Sequence, residues 1–258
     1  MAGDPVSAEY RPVVVSNAAG ASDFVILCDH ACNDIPLPLT DMGLSAEALR
    51  SHIAWDPGAL AVSQALSERL DAVLIHPTVS RLVIDCNRAA DAPDLIPEIS
   101  ETTGIPGNAG LDPRERERRI ERVHRPYHEA IDALLDDREG EGRQSLLVAV
   151  HSYTPVYKGT KRPWHVGILS DRDRRLADIL LEQLGRDATL VVADNAPYSP
   201  DDGVYYTLAV HGEARGHACV MIEIRNDEIA SKETQRAWAE RLAVALASAR
   251  EAVIKEQV

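Results

Sequence analysis

Short apolar runs and longer amphipathic stretches alternate along the whole chain. The apolar runs, which predict buried β-strands, cover residues 24–28, 72–76, 82–85, 146–150, 165–169, 189–193 and 218–224. Predicted helices cover residues 45–70 with an interruption near Pro57, and residues 112–137, 173–184, 206–210 and 232–255. This alternation predicts an α/β fold. We expect a single three-layer domain over residues 1–258, with a doubly wound, mostly parallel sheet and helices on both faces.

Polar side chains follow several of the predicted strands directly. His30 follows the run 24–28, His151 follows the run 146–150, and Glu223 lies near the end of the last run. Because ligands bind at the carboxyl ends of the strands in such sheets, we expect these side chains to converge. Imidazole and carboxylate are ordinary ligands of Zn²⁺, and a catalytic zinc site uses three protein ligands and leaves a position for water. The pattern indicates a metal hydrolase in which His30 and His151 bind the metal and Glu223 accepts the water's proton.

Three arginines are expected near the same edge of the sheet. Arg81 and Arg88 flank the run 82–85, and Arg225 follows Glu223. Their planar donor groups suit the carboxylates of an anionic substrate. A structural interpretation remains open, in which the histidines are loop or core residues, Asp85 pairs with Arg88 and Glu223 pairs with Arg225.

Charge and composition exclude several classes of function. The chain carries 27 Lys and Arg against 41 Asp and Glu, a formal net charge of −14. Such a surface repels phosphates, which excludes nucleic-acid binding by a broad basic face. No apolar run is long enough to cross a membrane, and the N-terminus lacks the basic and apolar regions of a signal peptide. Four cysteines are too few for a disulfide scaffold, so we expect a reduced, cytoplasmic protein. The sequence does not indicate its oligomeric state.

A series of short motifs stands in a fixed order along the chain. They are residues 29–36 (DHACNDIP), 52–59 (HIAWDPGA), 80–88 (SRLVIDCNR), 105–108 (IPGN), 126–128 (PYH), 151–155 (HSYTP), 162–165 (RPWH), 194–198 (DNAPY), 211–212 (HG) and 222–225 (IEIR). In this order they resemble the N-formylglutamate amidohydrolase family over about residues 24–242. The resemblance implies a phosphorylase/hydrolase-like fold, similar to that of the zinc carboxypeptidases and aspartoacylases.

The resemblance also implies roles for individual residues. His30 and His151 match the family's zinc-binding histidines, which implies one Zn²⁺, or another divalent metal, per chain. Asn87 and Arg88 match a D-x-N-R motif that contacts the substrate's carboxylate or its polarised carbonyl. Glu223 matches the late glutamate that acts as general base and then as general acid.

The third metal ligand departs from the family pattern. The family's motif is H-x-x-E, but the position three residues after His30 is Asn33. Asp56, in the motif HIAWDPGA, is our first candidate for the replacement. Asn33, through its amide oxygen, is the second.

The function implied by the resemblance is hydrolysis of a small anionic N-acyl amino acid. N-formyl-L-glutamate is the first expected substrate, and formate and L-glutamate, as in histidine degradation, are the expected products. Two alternatives stay open. One is a non-catalytic anion-binding or regulatory homologue that has lost the metal. The other is a carboxypeptidase-like hydrolase of a different N-acyl amino acid.

Overall fold

The structure, a computed structural model, describes residues 11–255. The strands are β1 (Val13–Ser16), β2 (Phe24–Leu27), β3 (Val73–Pro77), β4 (Ile99–Ser100), β5 (Thr103–Gly104), β6 (Leu146–Tyr153), β7 (Val156–Tyr157), β8 (Thr160–Lys161), β9 (Val166–Leu169), β10 (Val192–Asp194) and β11 (Ala218–Arg225). The α-helices are α1 (Ala46–Arg50), α2 (Ala59–Leu70), α3 (Pro113–Arg119), α4 (Arg125–Gly140), α5 (Ala177–Gly185), α6 (Tyr206–His211) and α7 (Lys232–Lys255), and the π-helical segment Ile120–His124 joins α3 to α4.

Seven of these strands form one mixed sheet in the order β1-β3-β2-β6-β11-β9-β10. The four central strands β3, β2, β6 and β11 run parallel. The edge strand β1 is antiparallel to β3, and β9 is antiparallel to β11. The carboxyl ends of β2, β6 and β11 therefore lie side by side at one edge of the sheet. β4–β5 and β7–β8 form two separate antiparallel hairpins.

Apolar side chains on both faces of the sheet bury it between two helical layers. Along β2, Phe24 and Ile26 point into one core cluster, while Val25 and Leu27 point into the other, because successive strand residues face opposite sides. Helices α2, α5 and α7 pack on the first face, and α4 with α6 covers the second. This three-layer arrangement confirms the predicted α/β fold with a mostly parallel sheet.

The apolar run 82–85 was expected to be a strand, and that prediction is wrong. The segment is a turn that begins at Ser80, whose carbonyl accepts a hydrogen bond from the backbone of Val83. Leu82, Val83 and Ile84 are all buried in the core cluster that also contains Tyr127 and Ile131 of α4, so they are apolar because of packing rather than because of pairing in a sheet. The structure also contains the edge strand β1, which the apolar pattern did not indicate.

Element boundaries shift elsewhere without changing the architecture. Ser45 caps α1, and its side chain accepts a hydrogen bond from the backbone of Ala48. The predicted helix 45–70 divides into α1 and α2, and the long loop between them carries Asp56. All four cysteines are free. No helix within residues 11–255 has the length and hydropathy of a membrane span. The N-terminal segment without a signal-peptide pattern lies mostly outside the described residues.

Candidate active site

A cavity of about 290 Å³ opens at the carboxyl ends of the central strands. β2 leads directly into His30, β6 carries His151, and β11 carries Glu223. His151 and Glu223 are direct partners in the register of β6 and β11, so their side chains leave the sheet on the same face. The fold thus brings together the three residues that the sequence placed at strand ends.

Asp56 completes a compact group with the two histidines. Its Oδ2 lies 2.9 Å from His151 Nδ1 and 3.3 Å from His30 Nδ1, and the two Nδ1 atoms are 3.2 Å apart. All three residues are buried. The backbone N–H of Asp56 donates to the carbonyl of His30 at 3.0 Å, which fixes the α1–α2 loop against the end of β2. Asn33 lies outside this group and donates its side-chain amide to the carbonyl of Leu49.

Two further aspartates orient the histidine rings. Asp85 Oδ1 lies 2.7 Å from His30 Nε2, and Asp29 Oδ2 lies 2.9 Å from His151 Nε2. Each Nε2–H is thereby engaged by a carboxylate, so each Nδ1 is turned towards the shared oxygen of Asp56. This is the arrangement in which carboxylates fix the tautomer and direction of metal-binding imidazoles. Asp29 and Asp85 lie at the ends of the apolar runs 24–28 and 82–85, but the sequence gave neither of them this orienting role.

The carboxylates of the group are held in the ionised form. Burial raises the pKa of Asp29, but hydrogen bonds and charge from His151 outweigh it and leave the pKa at about 2. The histidine charges likewise lower the pKa of Asp56 despite its burial. Burial lowers the pKa of His151, yet Asp29 and Asp56 together raise it well above the ordinary value. Ionised carboxylates next to imidazoles favour a cation at the centre of the group.

The residues fit a divalent metal. His30, His151 and Asp56 each offer one ligand atom, and these atoms lie within 4.8 Å of one another. A tetrahedral ion with ligand bonds of about 2.0–2.1 Å separates its ligand atoms by about 3.3 Å, close to the observed separations. Two histidines and one carboxylate are a set used by catalytic zinc sites, which keep a further position open.

Glu223 lies beside this group and forms no hydrogen bond or ion pair with the residues that the structure describes. Its side chain is 5% exposed, and no residue in the described part of the chain donates a hydrogen bond to its carboxylate. Burial is the largest effect on its acidity, and it raises the pKa of Glu223 to about 7. A carboxyl group with such a pKa can both accept and release a proton near neutral pH.

The four predicted substrate-binding residues occupy different surroundings. Arg81 lines the cavity but is paired with Asp85 at 2.6 Å. Asn87 lines it too, and its side-chain oxygen accepts from the backbone of Thr207.

Arg88 lines the same cavity, and its Nε donates to Asp94 at 2.7 Å. Arg225 does not line it. Its guanidinium pairs with Asp227 and Glu228 and donates to the carbonyl of Trp164. The expected alternative pairs, Asp85 with Arg88 and Glu223 with Arg225, are therefore absent from the ion pairs of the described residues.

A cluster of histidines that the sequence left without a role supports the Asn87–Arg88 segment. His124 Nε2 lies 2.8 Å from the carbonyl of Arg88, and His128 Nε2 lies 3.0 Å from the carbonyl of Cys86. His211 lies 2.7 Å from the other ring nitrogen of His128. Histidines four residues apart on a helix share a face, which is the signal that could have indicated this contact. The cluster fixes the loop that brings Asn87 and Arg88 to the cavity.

Comparison with known proteins identifies the family of the chain. The family model of N-formylglutamate amidohydrolase matches residues 22–230. Among solved structures, the gene product Atu2144 from Agrobacterium tumefaciens is 44% identical with a TM-score of 0.93, over 95% of this chain and 97% of that one. N-formylglutamate amidohydrolase from Ralstonia eutropha JMP134 is 20% identical with a TM-score of 0.64, over 96% of this chain and 99% of that one, and supports the fold alone. A search of curated proteins gives no match. Since the family model spans most of the sequence, the resemblance is confirmed and the chain belongs to the N-formylglutamate amidohydrolase family.

Proposed function

We propose that this protein is a zinc-dependent amidohydrolase that cleaves a small N-acyl amino acid with an acidic side chain. N-formyl-L-glutamate is the substrate we place first. One observation carries the proposal: three buried ligand atoms lie within 4.8 Å of one another, and Glu223 lies beside them on the neighbouring strand without a hydrogen-bond partner among the described residues. Membership of an amidohydrolase family supports hydrolysis as the reaction class.

The proposed metal ligands are His30, Asp56 and His151, with one ion per chain. A zinc ion held there supplies Lewis acidity, which lowers the pKa of a water and polarises the acyl carbonyl. Asp29 and Asp85 keep the imidazoles turned towards the ion.

Glu223 moves the proton during the reaction. Its carboxylate accepts a proton from the attacking water as the water oxygen bonds to the formyl carbon. It then delivers that proton to the amide nitrogen as the carbon–nitrogen bond breaks. The products are formate and the free amino acid. Burial raises the pKa of this side chain to about 7, so it can both accept and release a proton near neutral pH.

An anionic substrate fits the charges around the cavity. Arg88 lies at the wall of the cavity. Its Nε donates to Asp94 and its Nη1 donates to the carbonyl of Asn87, so among the described residues its Nη2 remains without an acceptor. A planar guanidinium binds a carboxylate with directed hydrogen bonds. The acidic surface elsewhere on the chain repels anions, so binding depends on this local positive group.

The test is a substrate screen combined with metal analysis. The protein is purified without chelator, its metal content is measured, and N-formyl, N-acetyl and N-carbamoyl derivatives of glutamate, aspartate and leucine are assayed with and without added zinc. We expect about one zinc per chain and fastest release of amine from N-formyl-L-glutamate. A protein that binds these compounds but hydrolyses none, even after zinc is restored, would instead be an anion-binding homologue. Fastest turnover of a different acyl group would make it a hydrolase of another N-acyl amino acid.

A further inference from the structure

Arg162 is a buried cation surrounded by tyrosine rings. It follows β8 and is 8% exposed. Its guanidinium carbon lies 4.5 Å from the ring centre of Tyr157, 4.7 Å from that of Tyr198 and 5.5 Å from that of Tyr153. All three distances fall within the range of cation–π attraction. The tyrosines therefore hold the guanidinium in place and offset part of the cost of its burial.

This guanidinium has no counter-ion within residues 11–255. No carboxylate of the described residues lies within 4.0 Å of it, whereas Arg81, Arg88 and Arg225 each pair with an aspartate. One of its nitrogens, Nη1, donates to the Tyr198 hydroxyl at 3.0 Å. The other guanidinium nitrogens form no hydrogen bond with the described residues, and they are not fully buried. Their N–H groups therefore reach solvent. A buried positive charge without an acid is costly unless an anion joins it.

The tyrosine cage forms part of the candidate active site. Tyr153, Tyr157 and Tyr198 line the same cavity as Glu223 and His151. Arg162 thus stands behind a wall that a substrate touches.

The Tyr198 hydroxyl is a part of this wall that has a hydrogen free to donate. Its oxygen accepts from Arg162, and no acceptor for its own hydrogen lies among the described residues. Burial raises the pKa of Tyr198, so the hydroxyl keeps its hydrogen at neutral pH. The Tyr153 hydroxyl differs, because it donates to the carbonyl of Trp164. Of these two hydroxyls, Tyr198 is the one with a hydrogen left for a ligand.

We propose that Arg162 and Tyr198 together form a subsite that binds a carboxylate of the substrate. This inference rests on the proposed function, and it adds a second anion-binding group to the one that Arg88 provides. The carboxylate accepts the Tyr198 O–H, and Arg162, which donates to the same hydroxyl from behind it, supplies the positive charge that balances the carboxylate. An N-acyl acidic amino acid carries two carboxylates, so two separate subsites match its charge.

The kinetic test compares substrates that differ by one carboxylate. N-formyl-L-glutamate, N-formyl-L-glutamine and N-formyl-L-isoglutamine are assayed with the wild type, Arg162→Met and Tyr198→Phe. For substrates that retain the bound carboxylate, we expect kcat/KM to fall about 10- to 100-fold, mainly through KM. For the amide analogue that lacks this carboxylate, the two substitutions should lower kcat/KM only slightly. Whether that analogue is the glutamine or the isoglutamine compound tells which of the two carboxylates the subsite binds. An equal loss on all three substrates would overturn the proposal.

Tyr153→Phe is the matched control. It removes a hydroxyl from the same cage, but one that already donates to Trp164, so its effect should not depend on the substrate's carboxylates. If Arg162→Met fails to fold, Arg162→Lys retains the charge without the planar donor group and should give an intermediate rise in KM. The proposal would also be overturned if the effect of Tyr153→Phe on kcat/KM depended more on the substrate's carboxylates than the effect of Tyr198→Phe does.

A binding measurement separates failure of the subsite from failure of the proposed function. L-glutamate and L-glutamine are titrated calorimetrically into the wild type, Tyr198→Phe and Tyr153→Phe. If the wild type hydrolyses none of the formyl compounds, the proposed function fails but this titration still tests the subsite. Tighter binding of glutamate than of its amide, lost in Tyr198→Phe and kept in Tyr153→Phe, supports it. Absence of glutamate binding, or equal binding by all three proteins, overturns it.

Discussion

Replacing Glu223 with Gln should weaken catalysis and strengthen the fold. The glutamine side chain has nearly the same shape but cannot accept the water's proton. Loss of a general base typically lowers turnover about 10²- to 10⁴-fold. At the same time the substitution removes a buried carboxyl group that has no hydrogen-bond donor among the described residues. A residue with a purely structural role would show the opposite effect on stability.

The size of the gain in stability follows from the acidity of Glu223. Its pKa is about 7 in the folded protein against an ordinary value of 4.5. Between these values the native state holds a proton that the unfolded state has released, so the free energy of unfolding falls as the pH rises. A difference of about 2.5 in pKa corresponds to about 3 kcal/mol once the pH exceeds 7. The Gln variant does not lose this free energy of unfolding, because the glutamine side chain does not ionise.

The assay is chemical unfolding of the metal-free protein at pH 4.5, 6 and 8, with kcat and zinc content measured on the same preparations after reloading. We expect Glu223→Gln to match the wild type at pH 4.5 and to exceed it by up to about 3 kcal/mol at pH 8. Glu228→Gln is the control, since it changes the same side-chain type at an ion pair with Arg225 outside the cavity. Near-normal kcat, or a variant less stable than the wild type at pH 8, would refute the role of Glu223.

Three further outcomes test the rest of the site. His151→Ala and Asp56→Asn should each lose bound zinc and turnover together, while Asn33→Ala keeps both; the reverse order by metal analysis would make Asn33 the third ligand. Asp29→Asn should lower zinc affinity about 10- to 100-fold in a chelator competition, because it weakens the carboxylate contact that orients His151, and unchanged affinity would contradict that role. Arg88→Lys should raise KM for an acidic substrate about 10-fold or more because the planar donor group is lost, and an unchanged KM would make Arg88 structural.

The layers of the fold were predictable because buried elements consist largely of apolar residues. Strands β2, β6 and β11 are buried on both faces, so they appear as uninterrupted apolar runs. The same reasoning gave a wrong strand prediction at residues 82–84, which form a turn whose apolar side chains are buried in the core. Apolar runs report burial, and they do not distinguish a strand from a buried turn.

The site was predictable where function coincides with strand ends, and less so elsewhere. His30, His151 and Glu223 follow or end apolar runs, and parallel packing brings such positions together. Arg162 could not be recognised in this way. Its surroundings come from β6, from the β7–β8 hairpin and from the segment that carries Tyr198, and no local pattern reveals that these meet.

The acidic and basic groups around the three ligand atoms balance one another. Three buried aspartates are held ionised, namely Asp29, Asp56 and Asp85. Arg81 pairs with Asp85 and Asp56. His30 and His151 have pKa values raised above the ordinary value despite their burial. In the metal-free protein near pH 6, two imidazolium groups and one guanidinium therefore neutralise three carboxylates.

Binding of a divalent cation would preserve this balance, because each ligating imidazole must lose its Nδ1 proton. Two protons leave as two positive charges arrive, so the buried group around Glu223 carries the same total charge in both states. The expected consequence is release of about two protons per zinc near pH 6. It can be measured from the dependence of the calorimetric heat on the ionisation enthalpy of the buffer. Affinity should then weaken steeply as the pH falls below the raised pKa values of His30 and His151. Binding without proton release would mean that the imidazoles are neutral beforehand, and the charge balance inferred from the aspartates would be wrong.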